Sequence, residues 1–76
     1  SMAGLKPVSA KKVIRKFKIA GFEETHQRGS HVYLKNESNG RIITVPMHSS
    51  KDIPIGTLYN IVVKQAKMSV EEFNNL

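Results

Sequence analysis

The chain contains no cysteine, which excludes disulfide frameworks, thiolate zinc sites and a cysteine nucleophile. Its apolar runs are only a few residues long, far below the ~20 needed to cross a bilayer, and no secretory pattern opens it. A soluble, cytoplasmic protein with no membrane partner is the expectation. There is no glycine-rich phosphate loop, since Gly29 and Gly40 are single turn glycines. His26, His31 and His48 form no HExxH or other short-range pair, so no metal site is expected. Neither Ser30 nor Thr44 stands in a marked Ser-His-Asp order. The paired carboxylates Glu23-Glu24 and Glu71-Glu72 read as solvated positions. A chain of 76 residues makes one domain at most and buries only about 60% of its unfolded surface, so a buried nucleotide cofactor is not expected either.

What the chain does have is positive charge. Twelve Lys and Arg against six Asp and Glu give a formal net charge of +6. Such an excess favours a polyanionic partner, most often nucleic acid, although it also suits a ribosome-associated fragment or simple solubility. Lys11, Lys12, Arg15, Lys16 and Lys18 crowd into one acid-free stretch, whereas the tail from Ser69 carries Glu71 and Glu72 and no base.

In chain order, Ser1-Met2 has the look of a cloning scar, and residues 1–8 lack periodicity and read as a mobile or loosely docked lead-in to one domain over 9–76. Ser9 caps a helix in which Ala10, Val13, Ile14 and Phe17 share one face, and Gly21 stops it. Its remaining faces are cationic, which equally describes a solvated lysine surface. Residues 22–27 form a weak, polar strand suited to a sheet edge. Gly29-Ser30 turns the chain into a strand from His31, and Asn39-Gly40 signals a second hairpin whose return strand ends at Pro46. In that reading Val32, Leu34, Ile43 and Val45 face the core, whereas His31, Tyr33, Ile42 and Thr44 face away. Pro54 opens a second helix through Ile55, Leu58, Ile61, Val62 and Gln65-Ala66, with Asp52 as candidate cap. Ser69-Val70-Glu71-Glu72 is a capping box for a short third helix, with Met68 and Phe73 spaced as its staple. The sum is an α+β two-layer sandwich with one sheet face covered by helices and the other available.

The chemistry that survives is RNA cleavage. An imidazole titrating near pH 6.5 can take a proton from a ribose 2′-hydroxyl or give one to the 5′-oxygen leaving group. A nearby cation stabilises the phosphorane-like transition state. His31 is the candidate catalytic residue, beside a glycine turn that admits another backbone, and Arg28 or a lysine of the first helix is the candidate cation. A hairpin with an ordinary surface histidine is the competing description. His48, alone in a loop, is the weaker candidate.

A set of segments then points to a family. These are Lys12-Val13-Ile14, Ala20-Gly21-Phe22, Gln27-Arg28-Gly29-Ser30-His31, Thr44-Val45-Pro46-Met47-His48, Lys51-Asp52-Ile53-Pro54-Ile55-Gly56-Thr57-Leu58 and Met68-Ser69-Val70-Glu71-Glu72-Phe73. In order and spacing, over residues 9–74, they resemble the HicA family of toxin ribonucleases (the YcfA-like group). The resemblance implies a double-stranded-RNA-binding-domain-like α-β-β-β-α fold and a toxin that cleaves messenger RNA. It also implies neutralisation by a HicB-like antitoxin encoded beside it. It makes His31 the essential histidine and gives Pro46 and His48 a structural or supporting part. Lys11, Lys12, Arg15, Lys16, Arg28, Ser30 and Tyr33 are the expected RNA contacts, with Gly29 and His48 in support. Two departures bear on RNA affinity: Ser49-Ser50 replaces the usual Gly-Asn or similar pair, and Tyr59-Asn60 replaces the arginine common after Thr-Leu. A non-catalytic RNA-binding module of the same fold, or a degenerate toxin that only binds its antitoxin, are the alternatives.

Overall fold

The computed structural model describes residues 2–48 and 51–76. Ser1 of the expected scar and the Ser49-Ser50 departure lie outside them. The first helix, α1 (Ala10–Ile19), starts where expected: the Ser9 hydroxyl accepts the Lys12 backbone N–H at 3.2 Å. Strands β2 (Phe22–Arg28), β3 (His31–Asn36) and β4 (Ile42–Pro46) form an antiparallel sheet in the order β2-β3-β4. The alternation of β3 and β4 decides their faces: Val32, Leu34, Ile43 and Val45 are buried, and His31, Tyr33, Ile42 and Thr44 between them are not. Against the apolar face pack Ala10, Val13, Ile14 and Phe17 of α1, together with Leu58, Ile61 and Val62. Phe17 joins three elements, meeting Phe22 edge-to-face at 5.3 Å and Phe73 at 5.5 Å. The result is the α+β, double-stranded-RNA-binding-domain-like α-β-β-β-α arrangement, with a short terminal helix α3 (Val70–Asn74).

The capping box of α3 is formed in full. The Ser69 hydroxyl accepts the Glu72 N–H at 3.0 Å, and the Glu72 carboxylate accepts the Ser69 N–H at 3.0 Å. That backbone hydrogen bond, with the Ser69 side chain second, holds the Glu72 carboxyl below its ordinary pKa.

Three features depart from the sequence expectation. Leu5 is only 6% exposed and belongs to the core, and Val8-Ser9 is a short strand β1 that pairs with β5 (Asp52–Ile53) through Val8↔Ile53 and Ser9↔Asp52. An isolated leucine and a two-residue pairing leave no periodic trace, so the lead-in reads as loose when it is docked. Asp52 is therefore in β5 and caps nothing; Pro54 is itself the N-cap of α2 (Ile55–Tyr59), with no side-chain cap. Beyond α2 the helix widens into a π-helix over Asn60–Gln65, where the Ala66 N–H reaches the Ile61 carbonyl at 2.9 Å. Buried Ile61 and Ala66 are five residues apart, the spacing of that wider turn. Gln65 then sits beside β4, and its side-chain oxygen accepts the Thr44 N–H at 2.8 Å.

Among the described residues, Asn36 is the one polar residue that is buried, at 7% exposure. Its amide nitrogen donates to the Ala20 carbonyl at 3.4 Å, and its oxygen accepts the Ser38 N–H at 2.9 Å and hydroxyl at 2.6 Å. It thus ties the end of α1 to the β3–β4 loop. Asn36→Ala removes these bonds and strands the Ala20 carbonyl, so urea unfolding should show a loss of about 1–3 kcal/mol.

Candidate functional site

Gly29 and Ser30 connect β2 to β3. Gly29 has φ +58 and Ser30 has no positive φ, the pattern of a type II′ hairpin turn with glycine at its first central position. The tip is tied at two places: Gln27 Nε2 donates to the Gly29 carbonyl at 3.0 Å, and the Met47 N–H donates to the Ser30 carbonyl at 2.5 Å. Among the described residues, no atom beyond its chain neighbours lies within 4 Å of where a Gly29 Cβ would be, so the turn is open to an approaching backbone.

Register decides what stands next to His31. Arg28 is its partner on β2 and Pro46 its partner on β4, and His26 pairs with Tyr33, which pairs with Thr44. The register of β2 shifts between Glu24 and His26. Before this bulge the even residues Phe22 and Glu24 lie on the helix side of β2; after it the even residues His26 and Arg28 lie on the open side. Arg28, His31, His26 and Tyr33 therefore share one uncovered patch. His31 and Arg28 are exposed and make no side-chain hydrogen bond or ion pair among the described residues. Tyr33 is half-buried, and its ring stacks on His26 at 4.4 Å with 3° between planes. The Thr25 hydroxyl lies 3.0 Å from His26 Nδ1 and donates to the Tyr33 carbonyl at 3.3 Å.

The other expected contacts are distributed unevenly. Ser30 and Gly29 are at the turn beside His31. His48 is exposed and lines a cleft of about 570 Å³ with Pro46, Lys51, Asp52 and Thr57. Lys11, Lys12 and Arg15 are exposed on α1, which covers the opposite face of the sheet, so the fold does not bring them to His31. Lys16 is not part of a free cationic surface at all. Its ammonium donates to the Phe73 and Leu76 carbonyls at 3.2 and 3.4 Å and lies 4.9 Å from the Phe73 ring centroid. A basic residue placed at a helix C-terminus complements the dipole and satisfies orphan carbonyls, a use that its spacing within α1 does not reveal. His26 is the residue that sequence reasoning missed in this patch, because strict alternation does not anticipate a bulge. Among the described residues no three histidine, aspartate or glutamate side chains gather at metal-binding distance.

Two consequences are measurable. Gly29→Ala forces a Cβ into the left-handed region and should lower stability by about 1–2 kcal/mol in urea titration, with Gly29→Asn costing less. Lys16→Met should lower the melting midpoint, with a loss of about 1 kcal/mol for the C-terminal contacts of α3, whereas Lys12→Met leaves it unchanged.

No curated protein matches the chain. The family model of the HicA toxin of bacterial toxin-antitoxin matches residues 10–68, a span that contains α1, the whole sheet, α2 and the π-helix. It includes the Arg28–His31 hairpin and the loop that carries His48. The chain belongs to the HicA toxin family of bacterial toxin–antitoxin systems.

Proposed function

We propose that this HicA-family toxin is a metal-independent endoribonuclease that cleaves messenger RNA on the open sheet face, with His31 as its catalytic histidine. One observation carries the reading: Arg28 and His31 are direct cross-strand partners on an exposed patch beside a glycine turn. A guanidinium and an imidazole in that relation suit one phosphodiester. The imidazole takes the proton of the ribose 2′-hydroxyl, whose oxygen attacks phosphorus. The guanidinium donates hydrogen bonds to the non-bridging oxygens as charge builds on them. The P–O5′ bond breaks, leaving a 2′,3′-cyclic phosphate and a 5′-hydroxyl. The nucleophile belongs to the substrate, so DNA is inert.

Gly29 admits the RNA backbone, and Ser30 and Tyr33 flank the sugar and base. Lys11, Lys12 and Arg15, on the far layer, attract RNA at longer range and do not touch the scissile group. His48 supports the strand exit after Pro46. A HicB-like antitoxin neutralises the toxin by covering this face, and both act in the cytoplasm, where messenger RNA is.

The test is cleavage of RNA by the purified protein in EDTA, beside His31→Ala. Wild type should cleave RNA and leave the matching DNA intact. The variant should lose about 10²–10⁴-fold in rate while binding RNA within a few-fold of wild type. Equal cleavage by both proteins would remove His31 from the role. Binding without cleavage by wild type would instead select the non-catalytic RNA-binding module.

A further inference from the structure

In-line cleavage of RNA needs two proton transfers on opposite sides of one phosphorus, at the attacking 2′-oxygen and at the departing 5′-oxygen. A single imidazole cannot stand on both sides at once. The bulge in β2 supplies a second one. Glu24 pairs with Leu34 and His26 with Tyr33, so Thr25 is the extra residue. In a regular ladder, with Thr25 paired to Tyr33, His26 and Arg28 would instead point to the helix layer.

With the bulge, four side chains occupy the corners of a square on the open face: Arg28 opposite His31, and His26 opposite Tyr33. The two histidines lie on one diagonal, and diagonal neighbours across a sheet are roughly 7–8 Å apart. A phosphate above the centre then has an imidazole on each side, each able to close to a hydrogen bond of about 2.6–3.2 Å, and Arg28 at a third corner.

His26 is also held as a working imidazole is held. Its ring lies flat against Tyr33 at 4.4 Å. The Thr25 hydroxyl, with its proton directed to the Tyr33 carbonyl at 3.3 Å, accepts from Nδ1 at 3.0 Å. That contact orients the ring through Nδ1 and leaves Nε2 as the nitrogen without a protein partner among the described residues, the pattern of an acid–base group oriented by a third residue. The extra residue of the bulge is thus the residue that orients the ring.

We propose that His26 is a second catalytic residue, the acid that protonates the 5′-oxygen as the P–O5′ bond breaks, while His31 takes the 2′-hydroxyl proton. The proposal rests on the ribonuclease reading above. Its test uses an RNA oligonucleotide carrying a site that the wild type cleaves, and the same oligonucleotide with sulfur in place of the bridging 5′-oxygen. A thiolate leaves without protonation, so only the oxygen substrate needs the acid. His26→Gln, checked for an unchanged melting midpoint, should cleave the oxygen substrate about 10²-fold more slowly than wild type and the sulfur substrate within a few-fold of it. His31→Ala should fail on both. Undiminished cleavage of the oxygen substrate by His26→Gln would overturn the proposal and leave His31 in place. An equal loss on both substrates would overturn it too, making His26 a structural support. If the wild type cleaves no RNA, the ribonuclease reading falls and this proposal falls with it.

Discussion

The structure depends on one packing constraint: a three-stranded sheet with a single covered face. Val32, Leu34, Ile43 and Val45 are buried against α1 and the C-terminal helices. Because strand side chains alternate, burying these four forces His31, Tyr33, Ile42 and Thr44 to the other side. A slip of one residue in either pairing would exchange the two sets, exposing the core and burying an imidazole. The apolar core and the chemistry of the open face are therefore two results of the same register. Asn36 and Gln65 reinforce it with polar contacts from the covered side, one closing the β3–β4 loop and the other binding the free edge of β4.

Charge is arranged by the same layering. The cations clustered in α1 lie on the helix layer, and His31 lies on the sheet layer. The excess positive charge that marks the sequence is therefore mostly remote from the catalytic candidate. One of the five cations in that cluster, Lys16, is committed to the end of α3, and Lys18 pairs with Glu24 at 3.5 Å. Net charge is a property of the whole surface, whereas the register of one hairpin decides which side chains stand beside His31.

Much of this was legible in the chain. Ser9, Gly21 and the Ser69–Glu72 box act through local hydrogen bonds, and a few adjacent residues suffice to recognise them. The faces of β3 and β4 follow from strict alternation, and the edge position of β2 from its polarity. What was not legible depends on partners distant in sequence. The pairing of Val8 with Ile53 joins two segments with no pattern of their own. The π-helix is a change of winding that keeps the same residues buried. The bulge at Thr25 has no compositional signature in a strand that is polar on both sides, so the place of His26 in the patch could be found only from coordinates. The family resemblance carried His31, and the registry of β2 and β3 gives it neighbours.

Strand β2 carries one buried residue, Phe22, at its start; the rest of it is exposed on both faces. From Thr25 to Arg28 the hairpin is held by backbone hydrogen bonds to β3, the Thr25 hydroxyl on the Tyr33 carbonyl, one ring stack and the tie at Gln27. Free energy of local opening scales with such support, so this end of the sheet can fray without the core unfolding. A molecule that binds across β2 and β3 would suppress that opening and draw part of its binding free energy from rigidity it imposes. The stability of the protein as a whole and the order of its open-face patch are thus separable quantities, set by different layers of one small fold.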